Sequence, residues 1–161
     1  MGDVAVGEHR PPLCVEGMIS GAESYCAKHG LRFTDSRRRV LELLLEAPKA
    51  VGAYELLEQL RREKRGAQPP AVYRALDFLV AHGFVHKIDR LSAFVACAHP
   101  HEDHLPVFMV CNRCESVTEL CSSQPTDFLD AAAREVGFLL EETVVEAFGI
   151  CTRCKEAKQP A

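Results

Sequence analysis

Cys111-Asn112-Arg113-Cys114 and Cys151-Thr152-Arg153-Cys154 form two Cys-x-x-Cys knuckles with 36 residues between them. Together they offer four thiolates, the donor set zinc prefers, and a closed four-sulfur site leaves no open position for chemistry. The sequence therefore predicts a structural zinc site, with the knuckles stapling separate strands because their separation exceeds that of a zinc ribbon. A thioredoxin-type redox pair fits poorly, since neither motif is expected to start a helix after a βαβ strand. A second concentration of ligands comprises His82, His86, Cys97, His99, His101, Glu102, Asp103, His104 and, further on, Glu119. Such a mixed N, O, S set binds metal more reversibly than four thiolates, and its thiolate tilts selection toward zinc over Fe(II) or Mn(II). Spacing alone does not say which of these residues coordinate. A zinc hydrolase would need an open zinc position and a general base, and there is no His-Glu-x-x-His run. An enzyme is not expected.

The elements that must hold these ligands follow from apolar periodicity. Residues 1–16, with Gly2, Gly7, Pro11 and Pro12, read as a flexible arm. Met18, Ile19, Ala22, Tyr25 and Cys26 recur at helical spacing up to His29, and Gly30 fits a left-handed stop. Thr34 sits where an N-cap belongs, ahead of a helix burying Val40, Leu41, Leu44 and Leu45. Pro48 and Gly52 break that pattern before a helix of about residues 53–64, which buries Leu56, Leu57 and Leu60. Pro69-Pro70 opens another helix, about residues 71–82, and Gly83 ends it. Its Val72, Ala75, Leu76, Leu79 and Val80 share one face, with Tyr73, Arg74 and Asp77 on the other. Residues 84–88 and 93–97 then form a hairpin around Asp89-Arg90.

Helices leading into a hairpin, the last two helices joined by a short Gly-containing turn, make a winged helix-turn-helix pattern. Arg74 and Tyr73 are placed to meet guanine, phosphate or sugar in a major groove. On pattern alone, an interaction module with Tyr73 half buried stands equally. Beyond the His-rich loop come runs at 106–110 and 116–120, a helix of about 126–136 between Pro125 and Gly137, and a last run at 138–147. These predict a small unit of three strands and one helix, followed by a frayed tail from Lys155.

The whole chain has 161 residues, 47% of them apolar and 26% charged, which suits one modest domain or two small ones. No apolar run approaches the roughly 20 residues of a membrane span. Residues 1–10 lack the apolar core of a secretory signal, so a cytoplasmic location is expected. Eight cysteines in a reducing compartment argue for metal rather than disulfides. The net charge of −4 divides unevenly. Residues 1–91 carry 14 basic against 12 acidic side chains, residues 92–161 only 5 against 11. Lys28, Arg32, Arg37 to Arg39, Arg61, Arg62, Lys64, Arg65 and Arg74 concentrate the basic side chains, a set a solvated helix face also explains.

Pro69-Pro70-Ala71-Val72-Tyr73-Arg74-Ala75-Leu76, Gly83-Phe84-Val85-His86-Lys87, the two knuckles and Glu146-Ala147-Phe148-Gly149-Ile150-Cys151 resemble the ferric uptake regulator family in its zinc-uptake branch. The resemblance runs from about Tyr25 to Cys154. It implies an α+β protein, a winged helix-turn-helix domain followed by a small α/β dimerisation domain. The boundaries are an arm at 1–16, DNA-binding domain at 17–91, hinge at 92–98, dimerisation and metal domain at 99–155, and tail at 156–161. It implies a homodimeric repressor that binds double-stranded operator DNA when zinc is bound, acting on zinc-uptake genes, with no membrane role. Cys111, Cys114, Cys151 and Cys154 match the family's structural zinc ligands. His86, Cys97, His104 and Glu119 match its regulatory ones, about two zinc ions per protomer. Tyr54, Tyr73 and Arg74 match its DNA-contacting positions. Iron- and peroxide-sensing members are the alternatives, and Cys97 as a ligand disfavours both. A third family metal site lacks its histidine here, since Phe148 stands where one often occurs and Leu140-Glu141-Glu142-Thr143 supplies none. Cys14, Cys26 and Cys121 are read as packing or incidental thiols.

Overall fold

The computed structural model describes residues 14–63, 67–101, 105–122, 127–141 and 143–157. The chain divides into two compact units, the first ending at His101. In the first, α1 (Val15–Lys28), α2 (Asp35–Glu46), α3 (Ala53–Glu63) and α4 (Pro69–Ala81) accompany β1 (Val51–Gly52), β2 (Val85–Ile88) and β3 (Ala93–Ala96). The three strands form an antiparallel sheet in the order β1-β3-β2, and a 3-10 turn at Asp89–Leu91 joins the β2-β3 hairpin. This is a winged helix-turn-helix, and with the α/β unit that follows it gives the α+β class read from the sequence.

The local reasons are those the residue types dictate. Thr34 Oγ1 accepts from the Arg37 backbone N–H at 3.4 Å, capping α2. Gly30 and Gly83 take φ of +66° and +69° at the ends of α1 and α4, a region L side chains rarely enter. Leu41, Leu44, Leu56, Leu76, Leu79 and Phe84 form the heart of one core shared by all four helices and the sheet. Each such side chain contributes about 1.5–3 kcal/mol on leaving water.

Several boundaries differ from the sequence reading. α1 starts at Val15, inside the expected arm, although no side chain caps it. The rest of that arm, residues 1–13, lies outside the described residues. α4 starts at Pro69, because two prolines occupy its first turn, where an N–H is not needed. Val80 is exposed rather than on the buried face. Gly52, read as a breaker, is instead half of the short β1, opposite Ala93.

The second unit holds β4 (Leu105–Cys111), β5 (Val117–Ser122), α5 (Asp127–Glu135), β6 (Val145–Gly149) and α6 (Thr152–Glu156). The sheet order is β5-β4-β6, with β5 antiparallel and β6 parallel to the central β4. The expected strand at 138–147 is mostly absent. Gly137 ends α5 with φ +69°, Phe138 and Leu139 stand exposed, and pairing begins only at Val145. Lys155 and Glu156 belong to α6 rather than to a frayed tail, while 158–161 lie outside the described residues. Phe108, Val110, Cys111 and Val117 are buried here, whereas Met109, Phe128, Val136, Phe138, Leu139, Val144 and Ile150 are exposed. So thin a core beside so much exposed apolar surface marks a unit that needs a partner face.

Candidate metal centres and nucleic-acid face

The parallel pairing of β4 with β6 explains how knuckles 36 residues apart meet. Cys111 ends β4 opposite Gly149, and the Asn112 N–H donates to the Gly149 carbonyl at 2.8 Å. The chain then turns back through Glu115, at φ +56°, whose N–H closes on the Cys111 carbonyl at 3.0 Å. Cys151 follows β6 by two residues and is the N-cap of α6, which carries Cys154 on its single turn. The second knuckle therefore does open a short helix, contrary to the sequence reading. Because both strand ends leave the sheet on the same side, four sulfurs converge.

All four Sγ atoms lie within 4.8 Å of one another, and Cys114 and Cys151 approach to 3.7 Å. Four sulfurs held tetrahedrally at the usual zinc–sulfur bond of about 2.3 Å stand roughly 3.8 Å apart. The donor set and its spacing fit that ion. Cys111 is buried and the other three are half buried. Backbone N–H groups of Cys151, Cys114 and Arg113 lower the Cys111 pKa; the Cys151 N–H stands 3.4 Å from its sulfur. Cys114 is lowered to about 5, chiefly by the Ser116 hydroxyl 3.2 Å away and the Ser116 N–H, with help from Arg153. Cys154 is pushed up to about 12 by its contacts with the Cys151 and Cys114 sulfurs. The sequence reading missed Ser116 and Arg153, although a hydroxyl two residues past a knuckle and a cation inside one are visible signals.

Within the first unit, β2 and β3 bring His86 and Cys97 together. His86 faces Val95 in register, and Cys97 follows β3 directly, its N–H donating to the Phe84 carbonyl at 2.8 Å. Their ligand atoms lie within 4.8 Å of each other; Cys97 is fully buried and His86 half buried. Glu119 stands on β5 opposite Phe108, in the second unit. His104, Glu102 and Asp103 lie outside the described residues.

The other histidines of the cluster have different surroundings. His101, with φ +67°, stacks on Tyr25 at 3.8 Å between ring centroids, and His29 stacks on the same ring at 4.1 Å. His82 packs against Phe78 and meets the Tyr25 ring edgewise. Burial, with the nearby His29 and His82, lowers the His101 pKa. Cys26 is buried in the core and Cys14 is exposed.

On α4, Val72, Ala75, Leu76 and Leu79 are buried while Tyr73 and Arg74 project outward. Tyr73 is 48% exposed and Tyr54, at the start of α3, 75%. The Arg74 Nε donates to the Pro70 carbonyl of its own helix at 3.1 Å. Three other arginines of the basic cluster are ion-paired. Arg39 binds Glu42, Glu46 and Glu63, Arg38 binds Glu23, and Arg61 binds Glu58. Part of the basic cluster is thus an ion-paired helix surface.

The model of the ferric uptake regulator family matches residues 28–148. The chain belongs to the ferric uptake regulator family. It is 38% identical over 142 residues to the zinc uptake regulation protein of Escherichia coli K12, covering 88% of this chain and 83% of that protein. A solved zinc uptake regulator complexed with zinc and DNA superposes with a TM-score of 0.85 at 37% identity, covering 90% of this chain and 97% of the other. Holo XcZur gives 0.78 at 42% identity, covering 87% and 98%. None of the described helices of this family member is long and apolar enough to cross a membrane.

Proposed function

We propose that this family member is a zinc-responsive homodimeric repressor that binds operator DNA, controls zinc-uptake genes and acts in the cytoplasm. The observation that carries the reading is the buried Cys97 thiol beside His86 at the root of the wing. A thiolate in a reversible mixed site favours zinc over iron or manganese, and it sits on the DNA-binding unit itself. The zinc relatives support the same choice, and no observation favours iron or peroxide sensing.

Cys111, Cys114, Cys151 and Cys154 hold the structural zinc, on the support of their converged sulfurs. His86 and Cys97, with Glu119 and His104 from the rest of the chain, make the regulatory site, about two zinc ions per protomer. Bound there, zinc would tie these ligands together. β3 pairs within the wing sheet and the first unit runs to His101, so the proposed division ends the DNA-binding domain there instead of at 91, moves the hinge from 92–98 to that junction, and has the dimerisation and metal domain follow it. Ligands on both sides of that hinge fix the angle between the domains. In a two-fold dimer that angle sets the separation of two α4 helices, which must match half-sites about 34–36 Å apart. Tyr54, Tyr73 and Arg74 meet the DNA, on the support of their exposure. A 1:99 to 99:1 shift toward the DNA-competent state needs about 5.5 kcal/mol of differential binding, and operator DNA must tighten zinc binding by the same factor.

The deciding experiment is operator-DNA anisotropy against buffered free zinc, with Fe(II) and Mn(II) in parallel and bound metal counted. DNA binding should appear as the second zinc per protomer fills. Binding that tracks iron, or that ignores metal, would refute the zinc-sensor reading.

A further inference from the structure

The two residues inside each knuckle are not ligands, yet each knuckle places an arginine there, and each arginine reaches across to the other knuckle. Arg113, from the first, donates its Nη1 to the Cys154 carbonyl at 2.8 Å, 41 residues away in sequence. Arg153, from the second, stands on α6 between Cys151 and Cys154 and has the Cys114 sulfur of the opposite knuckle as its leading electrostatic partner. The contacts are complementary. One ties the backbone of α6 to the β4 turn, and the other brings a permanent cation to a sulfur of the opposite knuckle.

A divalent ion with four thiolates carries a net charge of −2, and two guanidiniums bring the local charge to zero. Among the described residues, the other donors to these sulfurs do not supply that charge. Cys111 is served by backbone N–H groups and Cys114 also by Ser116, all neutral. Arginine keeps its charge at any working pH and offers several donors from one rigid plane.

We propose that Arg113 and Arg153 are positioning residues for the four-cysteine metal, a crossed pair of straps that neutralises the site and retards loss of its ion. This rests on the structural zinc assigned above. The arginines compensate the charge that makes thiolate sulfurs open to protons and electrophiles, and they resist the separation of α6 from the β4 turn that must precede release. Outer-shell partners of this kind typically govern metal affinity by about 10–100-fold. Both guanidiniums are exposed, so the lower end applies.

The test uses the full-length zinc-loaded dimer and follows zinc release to excess chelator, and separately to N-ethylmaleimide, with a colorimetric zinc indicator. Arg153→Gln should release zinc about tenfold faster than the parent, while Arg153→Lys, which keeps the charge, should stay within about twofold of it. Raising ionic strength from about 0.05 to about 0.5 M should speed release from the parent and leave Arg153→Gln nearly unchanged, because screening acts on the charge alone. Arg113→Met should also release faster and keep most of the parent's salt dependence, because Arg153 still carries its charge beside the sulfurs. Equal rates for parent and Arg153→Gln would overturn the proposal, and so would a Lys variant as fast as the Gln variant, since lost packing would then explain the change. A parent that retains no tightly held zinc after dialysis would instead remove the structural-zinc assignment itself, which separates the two failures.

Discussion

At the scale of single residues, Cys97 and Arg74 carry the most function per atom, and they separate metal sensing from DNA contact. Cys97→Ala deletes a small buried side chain at the wing root. The variant should stay a folded dimer that keeps its structural zinc while DNA binding no longer responds to zinc; intact regulation in an anisotropy titration would exclude Cys97 as a sensor ligand. Arg74→Ala should leave metal content and fold unchanged and weaken operator binding by about 1–3 kcal/mol, because among the described residues its guanidinium is held by its own helix. His101 carries a pH dependence whose sign is fixed. Its folded pKa lies below the ordinary value, so the unfolded chain binds the extra proton. Stability is therefore full above about pH 6.5 and falls as pH drops from there toward the folded pKa. His101→Asn tolerates the left-handed backbone and does not titrate, so its melting temperature should fall less steeply between about pH 7 and 5.5 than the parent's. Parallel slopes would remove the imidazole from the acid response.

At the scale of elements, α4 is the point where the core and the DNA face share one helix. Leu79 is fully buried on the side opposite Arg74, so Leu79→Ala should cost about 2–5 kcal/mol in denaturant unfolding and loosen the helix that presents Tyr73 and Arg74. A change below about 1 kcal/mol would mean that the helix is seated by other contacts. This element was legible in the sequence because four buried positions recur at helical spacing between a double proline and a glycine. Thr34 and Gly30 were legible for the same reason, since capping is local chemistry. β1 was not, because two residues have no period and Val51-Gly52 pairs only through the distant Ala93 and Phe94. The run at 138–147 misled for the opposite reason, since Phe138, Leu139 and Val144 are exposed and pairing covers only its end, from Val145. The four cysteines announced themselves by spacing. Their crossed arginines did not, since the contact depends on a parallel strand pairing that no local pattern encodes.

At the scale of the whole molecule, the second unit reads as half of something larger. Phe128, Phe138 and Leu139 are 74%, 64% and 81% exposed, a surface suited to the partner protomer. Leu139→Asp should shift sedimentation from dimer toward monomer and abolish tight operator binding while leaving the first unit's melting intact. A variant that stays dimeric at micromolar concentration would place the interface elsewhere. Cys111→Ala should be harsher, costing structural zinc and the fold of the second unit together, because metal binding there is folding free energy. The strand order β5-β4-β6 also has a consequence for how the protein is made. As the chain emerges from a ribosome, the central strand can take up β5 at once, but its other edge stays unsatisfied until Gly149 has been synthesised. Cys111 and Cys114 must wait for Cys151 and Cys154, about 2–8 seconds at about 5–20 residues per second. The first unit's own long-range pairing, β1 with β3, is complete once Ala96 has been made, before β4 begins at Leu105. Each newborn protomer therefore acquires its DNA-reading fold before it can mature its thiolates or find a mate.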